Sequence, residues 1–526
     1  MIRHTHCPEC GKVAVEQSRT KFFAVYRIKL KCGHVVTQST LKVGPVDELE
    51  SYQSINGDSL KPFQTETVSW LKDNNSRGLV AHEMGLGKTV CGLAPLKVYP
   101  GLTPALVVTK SGPKWQWFKE AIRWNGPDFF GQVIESAKDG IIPGLKLYVI
   151  SFDLVAKMRE KLDTIGIKTL IIDECQHIKN HTSKRAVALK DLSLTCEHVI
   201  GLSGTPIKNH AGEYFSILNI IDPVRFPSEK YFLNHWVSFI ETESGGMKPH
   251  SISNPERWKE FTKDIIIRRE WSDVFDQYPD VIRDFQYQDI DTDLKKAYEK
   301  EEERFIKFYK DIALEGRALS FKEYNDLLAF FARMRHLTGL GKIEWTIDYT
   351  TEFLLQSEEK IVIFTHHNDV MTHLYNGLCK WTSEGGFNYP LKLDSTLNSS
   401  ERENLVEEFK KPGNRILIAS TLAAGEALNL QFCAHCILME RQWNPANEEQ
   451  AEGRFKRIGQ LAKNIKAIYP IVLGTIDEYF TELVERKRAM FKETMTGEEV
   501  QWDEQANVTA LADAIMSKRG GKRWSY

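Results

Sequence analysis

A glycine-rich stretch at residues 82–89 has the residue types that hold a triphosphate. It follows a short apolar run at 78–81 and precedes a segment of helical character. Glycine amides and the start of a helix suit phosphate oxygens, Lys88 suits the β/γ charge, and Thr89 suits Mg²⁺. The strict form of such a loop begins with glycine, where this chain has His82. The candidate nucleotide-binding residues of the loop are Glu83, Met84, Gly85, Leu86, Gly87, Lys88 and Thr89.

A pair of acidic residues ends an apolar run farther along the chain. Residues 169–172 have the composition of a buried parallel strand, and Asp173 and Glu174 follow. Ligands bind α/β sheets at the carboxyl ends of their strands. We therefore expect Asp173 to hold Mg²⁺ through water and Glu174 to orient or deprotonate the attacking water. Gln64, ahead of the loop, is a candidate for reading the adenine edge.

Two arginines in the second half of the chain have the chemistry to complete such a site. Asn444 followed by Pro445 predicts a helix start, with an N-cap and proline at the first helical position. On a continuous helix, Gln450, Arg454 and Arg457 share one face. Arginines presented in this way stabilise the charge of a phosphoryl-transfer transition state. A solvated basic face is the alternative.

The N-terminal residues predict a structural zinc site. Two cysteines flank a tight turn, and a third cysteine and a histidine follow a segment of strand character, which gives three sulfurs and one nitrogen for tetrahedral Zn²⁺. We expect a zinc ribbon that folds around its metal and binds nucleic acid or a protein partner. Alternatives are that the third cysteine and the histidine belong to an unrelated strand, or that His4 or His6 is the nitrogen ligand. The expected ligands are Cys7, Cys10, Cys32 and His34.

Length and composition limit the classes of protein that fit. The chain has 526 residues, too many for one core, and 42% of them are hydrophobic, which is ordinary for packed domains. Its net charge of -2 gives no bulk attraction to a polyanion, so nucleic acid must be held by local patches or main-chain amides. Apolar runs are far too short to span a membrane, and a secretory signal is not evident at the N-terminus. We expect an intracellular protein with reduced cysteines.

Several loops after apolar runs carry lysine or hydroxyl side chains suited to phosphate contacts. Contacts of this kind fix the position of a nucleic acid without reading its sequence. An ordinary turn cap is the alternative for each residue. The candidate nucleic-acid-binding residues are Lys110, Ser111, Lys114, Ser203, Thr205, Thr365 and Thr421.

The motifs and their order resemble those of the Swi/Snf-type ATPases within the superfamily-two helicases. The matching segments are 83–89, 173–180, 202–207 and 443–460, and 266–269 and 420–430 resemble the family's paired-arginine brace and its fifth helicase motif. The resemblance extends from about Leu60 to Arg488 and implies ATP and Mg²⁺ as cofactors. It places the nucleotide roles on Gln64, Lys88, Thr89, Asp173, Glu174, Gly425, Arg454 and Arg457.

Three positions differ from the usual motif sequences of the family. The family generally has Asp where His82 stands, a second Gly where Glu426 stands, and more often His where Gln176 stands. A carboxylate at Glu426 is the departure expected to alter DNA coupling or ATP affinity. None of the three changes Lys88 or Glu174.

Alternating strand and helix signals predict an α/β protein with two doubly wound parallel sheets. By resemblance these are RecA-like lobes with helical insertions. The expected organisation is a zinc ribbon at 1–45, lobe 1 at 46–225, a helical insertion and brace at 226–342, lobe 2 at 343–490, and an extension with a basic tail at 491–526.

The leading functional hypothesis is an ATP-dependent translocase on double-stranded DNA that remodels DNA or protein–DNA complexes. A strand-separating or fork-remodelling helicase acting on branched or single-stranded DNA is one alternative. An assembly factor switched by ATP and recruited through the zinc ribbon is another. We expect a monomer of the small bacterial or viral type, located in the cytoplasm of a bacterium or a phage-infected cell, or in the nucleus of a eukaryote.

Overall fold

Most of the chain beyond residue 48 is described by the computed structural model. The described residues are 4–6, 13–22, 25–30, 35–39, 49, 51–99, 101–206, 210–241, 247–315, 319–394, 396–421, 428–443, 445–496 and 504–519. The chain divides into two compact units, Met1–Asp276 and Gln277–Tyr526. The boundary falls inside the 226–342 stretch that the sequence assigns to an insertion.

Four short strands near the N-terminus form an antiparallel sheet in chain order. They are β1 (His4–His6), β2 (Val13–Phe22), β3 (Val25–Leu30) and β4 (Val35–Ser39). The expected zinc ligands Cys7, Cys10, Cys32 and His34 lie outside the described residues. The zinc ribbon therefore stays a prediction.

Unit 1 is built on a seven-stranded parallel sheet with the order β13-β5-β10-β9-β6-β8-β7. Apolar, mostly β-branched runs form its central strands, which are buried on both faces. The strands are β5 (Arg77–Val80), β6 (Ala105–Thr109), β7 (Gly131–Val133), β8 (Leu147–Ser151), β9 (Thr169–Asp173), β10 (His198–Leu202) and β13 (Ile266–Ile267). A separate antiparallel hairpin joins β11 (Val237–Glu241) to β12 (Met247–Ile252).

Helices cover both faces of this sheet. Along β6, Leu106 and Val108 belong to one apolar cluster, whereas Ala105 and Val107 belong to the other. Because side chains of a strand alternate between faces, each face packs against its own helical layer. The helices are α1 (Pro62–Asp73), α2 (Lys88–Val98), α3 (Lys114–Asn125), α4 (Phe152–Val155), α5 (Arg159–Asp163), α6 (Lys184–Thr195), α7 (Tyr214–Ile221), α8 (Glu229–Trp236), α9 (Pro255–Thr262) and α10 (Trp271–Val274). Short 3₁₀ turns span Ala156–Met158, Cys175–Ile178 and Ala211–Glu213.

Unit 2 contains a second parallel sheet, of six strands in the order β14-β19-β18-β15-β17-β16. Here too alternate residues of a central strand enter different clusters, Val362 and Phe364 on one face and Ile361 and Ile363 on the other. The strands are β14 (Asp280–Gln288), β15 (Ile361–Thr365), β16 (Leu391–Leu393), β17 (Ile416–Ser420), β18 (His435–Leu438) and β19 (Asn464–Val472). The prediction of two doubly wound parallel sheets is confirmed.

The helices of unit 2 form the layers on its sheet and a separate helical cluster. In that cluster Tyr298, Phe305, Phe331, Phe480 and Leu511 pack together, so chain beyond residue 503 completes a core begun near residue 298. The helices are α11 (Thr292–Glu315), α12 (Phe321–Gly341), α13 (Ile343–Gln356), α14 (Asn368–Gly385), α15 (Ser399–Lys410), α16 (Pro445–Glu452), α17 (Ile476–Thr496) and α18 (Glu504–Arg519). Across the described parts of both units, every helix is too short or too polar to cross a membrane.

Candidate nucleotide site

The glycine-rich loop of unit 1 connects β5 to α2 at the carboxyl edge of the sheet. Gly85 and Gly87 have φ angles of 84° and 73°, which residues with a Cβ atom rarely adopt. Lys88 is the first residue of α2, and its ammonium group donates to the carbonyls of His82 at 2.8 Å and Glu83 at 3.1 Å. The loop therefore has the strand, loop and helix arrangement that its sequence predicts.

Helix α1 is joined to this loop by two buried side chains. Gln64 donates to the carbonyl of Leu86 at 3.1 Å, and its other amide atom accepts from the main-chain N–H of Lys61 at 2.9 Å. Thr67 lies 2.8 Å from Nε2 of His82. Since the Thr67 hydroxyl donates to the carbonyl of Phe63, its oxygen accepts from the imidazole, which fixes the proton of His82 on Nε2.

His82 is neutral in this setting. Its side chain is fully buried, and burial, followed by the positive charges of Lys88, Arg269 and Arg268, lowers its pKa to about 3. A neutral imidazole thus occupies the position at which the resembling family generally has a carboxylate.

The acid pair is at the end of β9, as expected. Asp173 accepts two hydrogen bonds on the same oxygen, from the hydroxyl of Thr109 at 2.9 Å and the indole of Trp117 at 2.8 Å. Burial and then the neighbouring Glu174 raise the pKa of Asp173, and the two hydrogen bonds oppose that rise. Glu174 has a left-handed backbone, with φ of 49°, which turns the chain sharply at the sheet edge.

A hydrogen-bonded chain connects Glu174 to the segment after β10. Gln176 donates to the carboxylate of Glu174 at 2.5 Å and accepts from the hydroxyl of Ser203 at 2.7 Å. The same hydroxyl oxygen accepts from the main-chain N–H of Thr205 at 3.1 Å. Next to it, a Cβ built on Gly204 would lie 2.6 Å from Cγ of Met84 and 3.3 Å from Nζ of Lys88. Three segments distant in sequence therefore meet at the phosphate loop.

The paired-arginine segment lies along the same loop. Main-chain bonds join Ala81 to Ile267 at 2.8 Å and Glu83 to Arg269 at 2.9 Å. Trp271, two residues farther on, donates its main-chain N–H to the carboxylate of Glu83 at 3.0 Å and its indole N–H to the carbonyl of Met84 at 2.9 Å.

Trp271, Thr109 and Trp117 were not found by the sequence reasoning. Each carries a hydrogen-bond donor to the phosphate loop or to Asp173. Tryptophan and threonine are ordinary core residues, so their type alone gives no signal. Their nearness to the brace motif and to the loop after β6 is the only sequence feature that marks them.

Among the expected nucleic-acid contacts of unit 1, some face solvent and others do not. Ser111 is exposed and Lys110 and Thr205 are half-buried, whereas Ser203 is buried and bonded to Gln176. Lys114 differs from the expectation of a solvent-facing cation. Its ammonium group is buried, donates to the carbonyl of Ile134 at 2.9 Å and pairs with Glu135 at 3.1 Å, so these two acceptors hold it away from solvent at the start of α3.

In unit 2 the two expected threonines end adjacent strands of the sheet. Thr365 ends β15 and Thr421 directly follows β17. Both side chains are buried, and Thr421 donates to the carbonyl of Thr365 at 3.1 Å. Each hydroxyl therefore lies inside the fold rather than on its surface.

The helix expected to present the two arginines is shorter than predicted. Helix α16 begins at Pro445 but ends at Glu452, so Arg454 and Arg457 follow it in turns, and the argument that they share a helix face is wrong. Glycine at 453 disfavours continuation of the helix. Arg454 is buried, and Arg457 is half-buried with Nε donating to the carbonyl of Gly453 at 3.3 Å. Asn444, Gly425 and Glu426 lie outside the described residues.

A buried ionic network fixes α16. The carboxylate of Glu448 is fully buried and accepts two bonds from Arg441 at 2.9 Å, one from Arg488 at 2.8 Å and one from the main-chain N–H of Gln442 at 2.8 Å. Four donors compensate for the cost of burying this charge. One turn later, Glu452 is bonded to Arg283 and Tyr469. The turn that carries the two arginines therefore follows a helix that these buried ion pairs hold in place.

The expected magnesium residues fit a hard cation. A hydroxyl from Thr89 and a carboxylate from Asp173 are oxygen donors of the kind Mg²⁺ prefers. The two donors on one oxygen of Asp173 hold this carboxylate in a defined orientation. Apart from this pair, the described residues contain no group of three or more His, Cys, Asp or Glu suited to a metal ion.

Comparison with known families decides the classification. The model of the SNF2-related domain matches residues 63–338, and that of the helicase conserved C-terminal domain matches residues 341–459. The chain belongs to the SNF2-related domain family. Together the two domains are those of an SNF2-type ATPase of superfamily two, which confirms the resemblance seen in the motifs.

Relatives of this SNF2-type chain include three curated proteins from distant organisms. The mouse DNA annealing helicase and endonuclease ZRANB3 is 27% identical over 83% of this chain and 41% of its own length. The SWI/SNF-related matrix-associated actin-dependent regulator of chromatin subfamily A-like protein 1 of Xenopus tropicalis is 27% identical over 84% of this chain and 46% of its own. An uncharacterized ATP-dependent helicase of Mycoplasma pneumoniae is 26% identical over 83% of this chain and 42% of its own. The chain spans less than half the length of these relatives.

A solved structure is also similar. The Sulfolobus solfataricus SWI2/SNF2 ATPase core in complex with dsDNA is 24% identical, with a TM-score of 0.39 over 89% of this chain and 98% of that one.

Proposed function

We propose that this SNF2-type chain hydrolyses ATP when it is bound to double-stranded DNA and uses the hydrolysis to move along the duplex. The observation that carries the proposal is the convergence of three segments in unit 1. The phosphate loop at Lys88, the acid pair at Glu174 and the Ser203–Thr205 segment are joined through Gln176 and the close approach of Gly204. A nucleotide bound there is connected to a loop suited to nucleic acid.

The residues of unit 1 divide the work on the triphosphate. The amides of the phosphate loop and the ammonium group of Lys88 bind and neutralise phosphate oxygens. Glu174 orients or deprotonates the attacking water. Gln64, on α1 with its amide bonded to the loop at Leu86, reads the adenine edge. Thr89 and Asp173 would hold Mg²⁺, which when bound would supply positive charge at the phosphates.

Two arginines are included in this proposal by the family resemblance. Arg454 and Arg457 stabilise the transition-state charge, and their turn is fixed through the network around Glu448. Positioning of this kind matters because a guanidinium held rigidly requires little reorganisation at the moment of reaction. Gly425 has a nucleotide role only by resemblance.

The duplex is the proposed partner because several relatives are named for DNA or helicase activity. Of the residues expected to contact nucleic acid, Lys110, Ser111 and Thr205 have the exposure that phosphate contacts need. We propose that the chain acts as a monomer.

Steady-state ATP hydrolysis tests the proposal. Turnover is measured without nucleic acid and with duplex DNA, single-stranded DNA or RNA. We expect the largest stimulation with duplex DNA. Glu174→Gln and Arg457→Ala should both abolish the stimulated turnover, whereas Glu174→Gln still binds ATP. Equal turnover in all four conditions contradicts a DNA-dependent motor and favours an assembly factor switched by ATP.

A second candidate is the joining of separated strands at a branched or forked DNA. It is favoured by the relatives named DNA annealing helicase and endonuclease ZRANB3. Displacement of a third strand from a triplex reports translocation without strand separation. Release of a strand from a forked duplex reports separation, and loss of single-stranded bubbles reports annealing. We expect triplex displacement from this chain.

The zinc ribbon is a further proposal from the sequence. Metal analysis of the purified chain should find one zinc per molecule, and Cys7→Ser with Cys10→Ser should remove it. If DNA-stimulated turnover then persists while a protein partner is lost, the ribbon is a recruitment module. We propose an intracellular location for a chain of this kind.

A further inference from the structure

Both ends of the loop that follows β6 are tied to the magnesium carboxylate. Thr109 is the last residue of β6 and directly precedes Lys110 and Ser111. Its buried hydroxyl donates to Oδ2 of Asp173 at 2.9 Å. The loop therefore begins at a residue that contacts the acid pair.

The second tie comes from the other side of the loop. Trp117 lies in the first turn of α3, and its indole donates to the same Oδ2 at 2.8 Å. Neither donor contacts Oδ1. Two donors on one oxygen restrict the rotation of this carboxylate, so the direction in which Oδ1 points depends on where Thr109 and Trp117 stand.

The segment that carries these donors is anchored to the core of unit 1. Trp117 is buried in the same apolar cluster as Val107 of β6 and Ile171 of β9. Lys114 anchors the start of α3 to the carbonyl of Ile134 at 2.9 Å. Between Thr109 and Lys114, the side chain of Ser111 is exposed and that of Lys110 is half-buried, whereas Pro113 is buried.

We infer that Thr109 and Trp117 are positioning residues through which contact of nucleic acid with the 110–113 loop adjusts Asp173 for its metal. The inference rests on the proposed function and adds to it a route by which DNA stimulates hydrolysis. A phosphate held by Lys110 or Ser111 pulls on a loop with both ends bonded to one carboxylate oxygen. The orientation of the magnesium ligand then responds to DNA.

Four variants separate the hydrogen bonds from packing. Trp117→Phe and Thr109→Val each remove one donor. Valine keeps nearly the shape of threonine, whereas phenylalanine also lacks one ring of the indole. Thr109→Ser keeps the hydroxyl and should rescue. Trp124→Phe is the matched control, since that buried indole lies on the same helix and donates at 3.0 Å to Glu120, away from the acid pair.

The main readout is binding rather than turnover. A fluorescent ATP analogue is titrated at a series of Mg²⁺ concentrations, with and without duplex DNA, and duplex affinity is measured separately. In the unsubstituted chain we expect DNA to lower the Mg²⁺ concentration for half-maximal binding. Trp117→Phe and Thr109→Val should raise that concentration at least fivefold and reduce the DNA effect below twofold. Their duplex affinity and thermal midpoint should stay close to those of Trp124→Phe.

Three outcomes overturn the inference. In the first, Trp117→Phe and Thr109→Val need the same Mg²⁺ concentration for half-maximal binding as the unsubstituted chain, and DNA lowers that concentration by the same factor. Another is Thr109→Ser behaving like Thr109→Val, because packing rather than the hydroxyl would then be the cause. The third is an unsubstituted chain whose analogue binding does not respond to DNA although its hydrolysis does. Absence of DNA-stimulated hydrolysis in that chain, by contrast, contradicts the proposed function itself.

Discussion

Gln176 accepts a hydrogen bond from the hydroxyl of Ser203 at 2.7 Å and donates one to the carboxylate of Glu174 at 2.5 Å. Its side chain is almost completely buried, so water does not replace either partner readily. An amide can serve both neighbours because it has one donor end and one acceptor end. One chain of hydrogen bonds therefore connects Glu174, which is expected to activate water, to the Ser203–Thr205 segment, which is expected to contact nucleic acid.

Loss of that amide should uncouple hydrolysis from DNA. Gln176→Leu leaves Lys88 and the phosphate loop unchanged, so ATP affinity should stay within about twofold. Stimulated turnover should fall at least tenfold, equivalent to about 1.4 kcal/mol in the activation free energy. Gln132→Leu is the control, because that amide lies at an exposed site and bonds to the carbonyl of Gly140. Unchanged stimulation in Gln176→Leu would contradict a coupling role.

Removal of the Trp271 indole N–H should weaken ATP binding. In Trp271→Phe the carbonyl of Met84 loses its partner, and a hydrogen bond of this kind contributes about 1 kcal/mol. We expect about fivefold weaker binding of ATP, measured by calorimetry, with little change in turnover at saturation. Trp236→Phe is the control, because within the described residues that buried indole nitrogen has no acceptor. Equal affinities of the two variants would show that the contact does not position the loop.

Gly204 is required by close approach rather than by its backbone angles. Its added Cβ would lie 2.6 Å from Cγ of Met84 and 3.3 Å from Nζ of Lys88, so these side chains of the phosphate loop would have to shift. Gly204→Ala should therefore weaken ATP binding by more than tenfold. Gly140→Ala, where no heavy atom lies within 4 Å of the added Cβ, should bind ATP normally. Normal affinity in Gly204→Ala would mean that the two segments separate easily.

His82 should make unit 1 sensitive to acid. Its pKa in the folded chain is about 3, lowered by burial and nearby cations, against about 6.5 when unfolded. Below pH 6.5 the unfolded chain binds a proton that the folded chain does not, so stability falls as the pH falls toward 3. Between pH 7.5 and 5.0 this contributes about 2 kcal/mol of lost stability.

Denaturant unfolding at the two pH values checks this expectation. His82→Gln should lose less stability over that interval than the unsubstituted chain, whatever its stability at pH 7.5. The control is His181→Gln, since the His181 side chain is 40% exposed. Parallel losses in His82→Gln and the unsubstituted chain would show that His82 does not titrate in this way.

Glu448 should be essential to the fold of unit 2. In Glu448→Gln, the buried cations of Arg441 and Arg488 lose their shared carboxylate. Breaking a buried pair typically costs about 3–5 kcal/mol because a charge is left uncompensated. Glu482→Gln removes a half-exposed partner of Arg486 and should cost at most about 1 kcal/mol. Similar unfolding free energies for the two variants would show that the network around Glu448 does not stabilise unit 2 more than a surface ion pair does.

Hydrophobic patterning and motif chemistry predicted much of the fold. Each sheet comes from runs such as 105–109 and 361–365, which are apolar enough to be buried on both faces. The position of Lys88 at a helix start and of Asp173 at a strand end follows from local sequence. The end of α16 at Glu452 does not follow from residue spacing, which carries no information on where a helix stops, whereas glycine at 453 disfavours its extension.

The sequence by itself determined the chemistry of this protein: a phosphate loop, an acid pair, a pair of arginines and the order in which they occur. Tertiary structure decided which ordinary residues hold those groups in place. Thr109, Trp117, Gln176 and Trp271 contribute through hydrogen bonds to residues 2 to 188 positions away, and Lys114 turned from an expected DNA contact into an internal anchor. A contact of that kind depends on how strands and helices pack, which local patterns of residue type do not record.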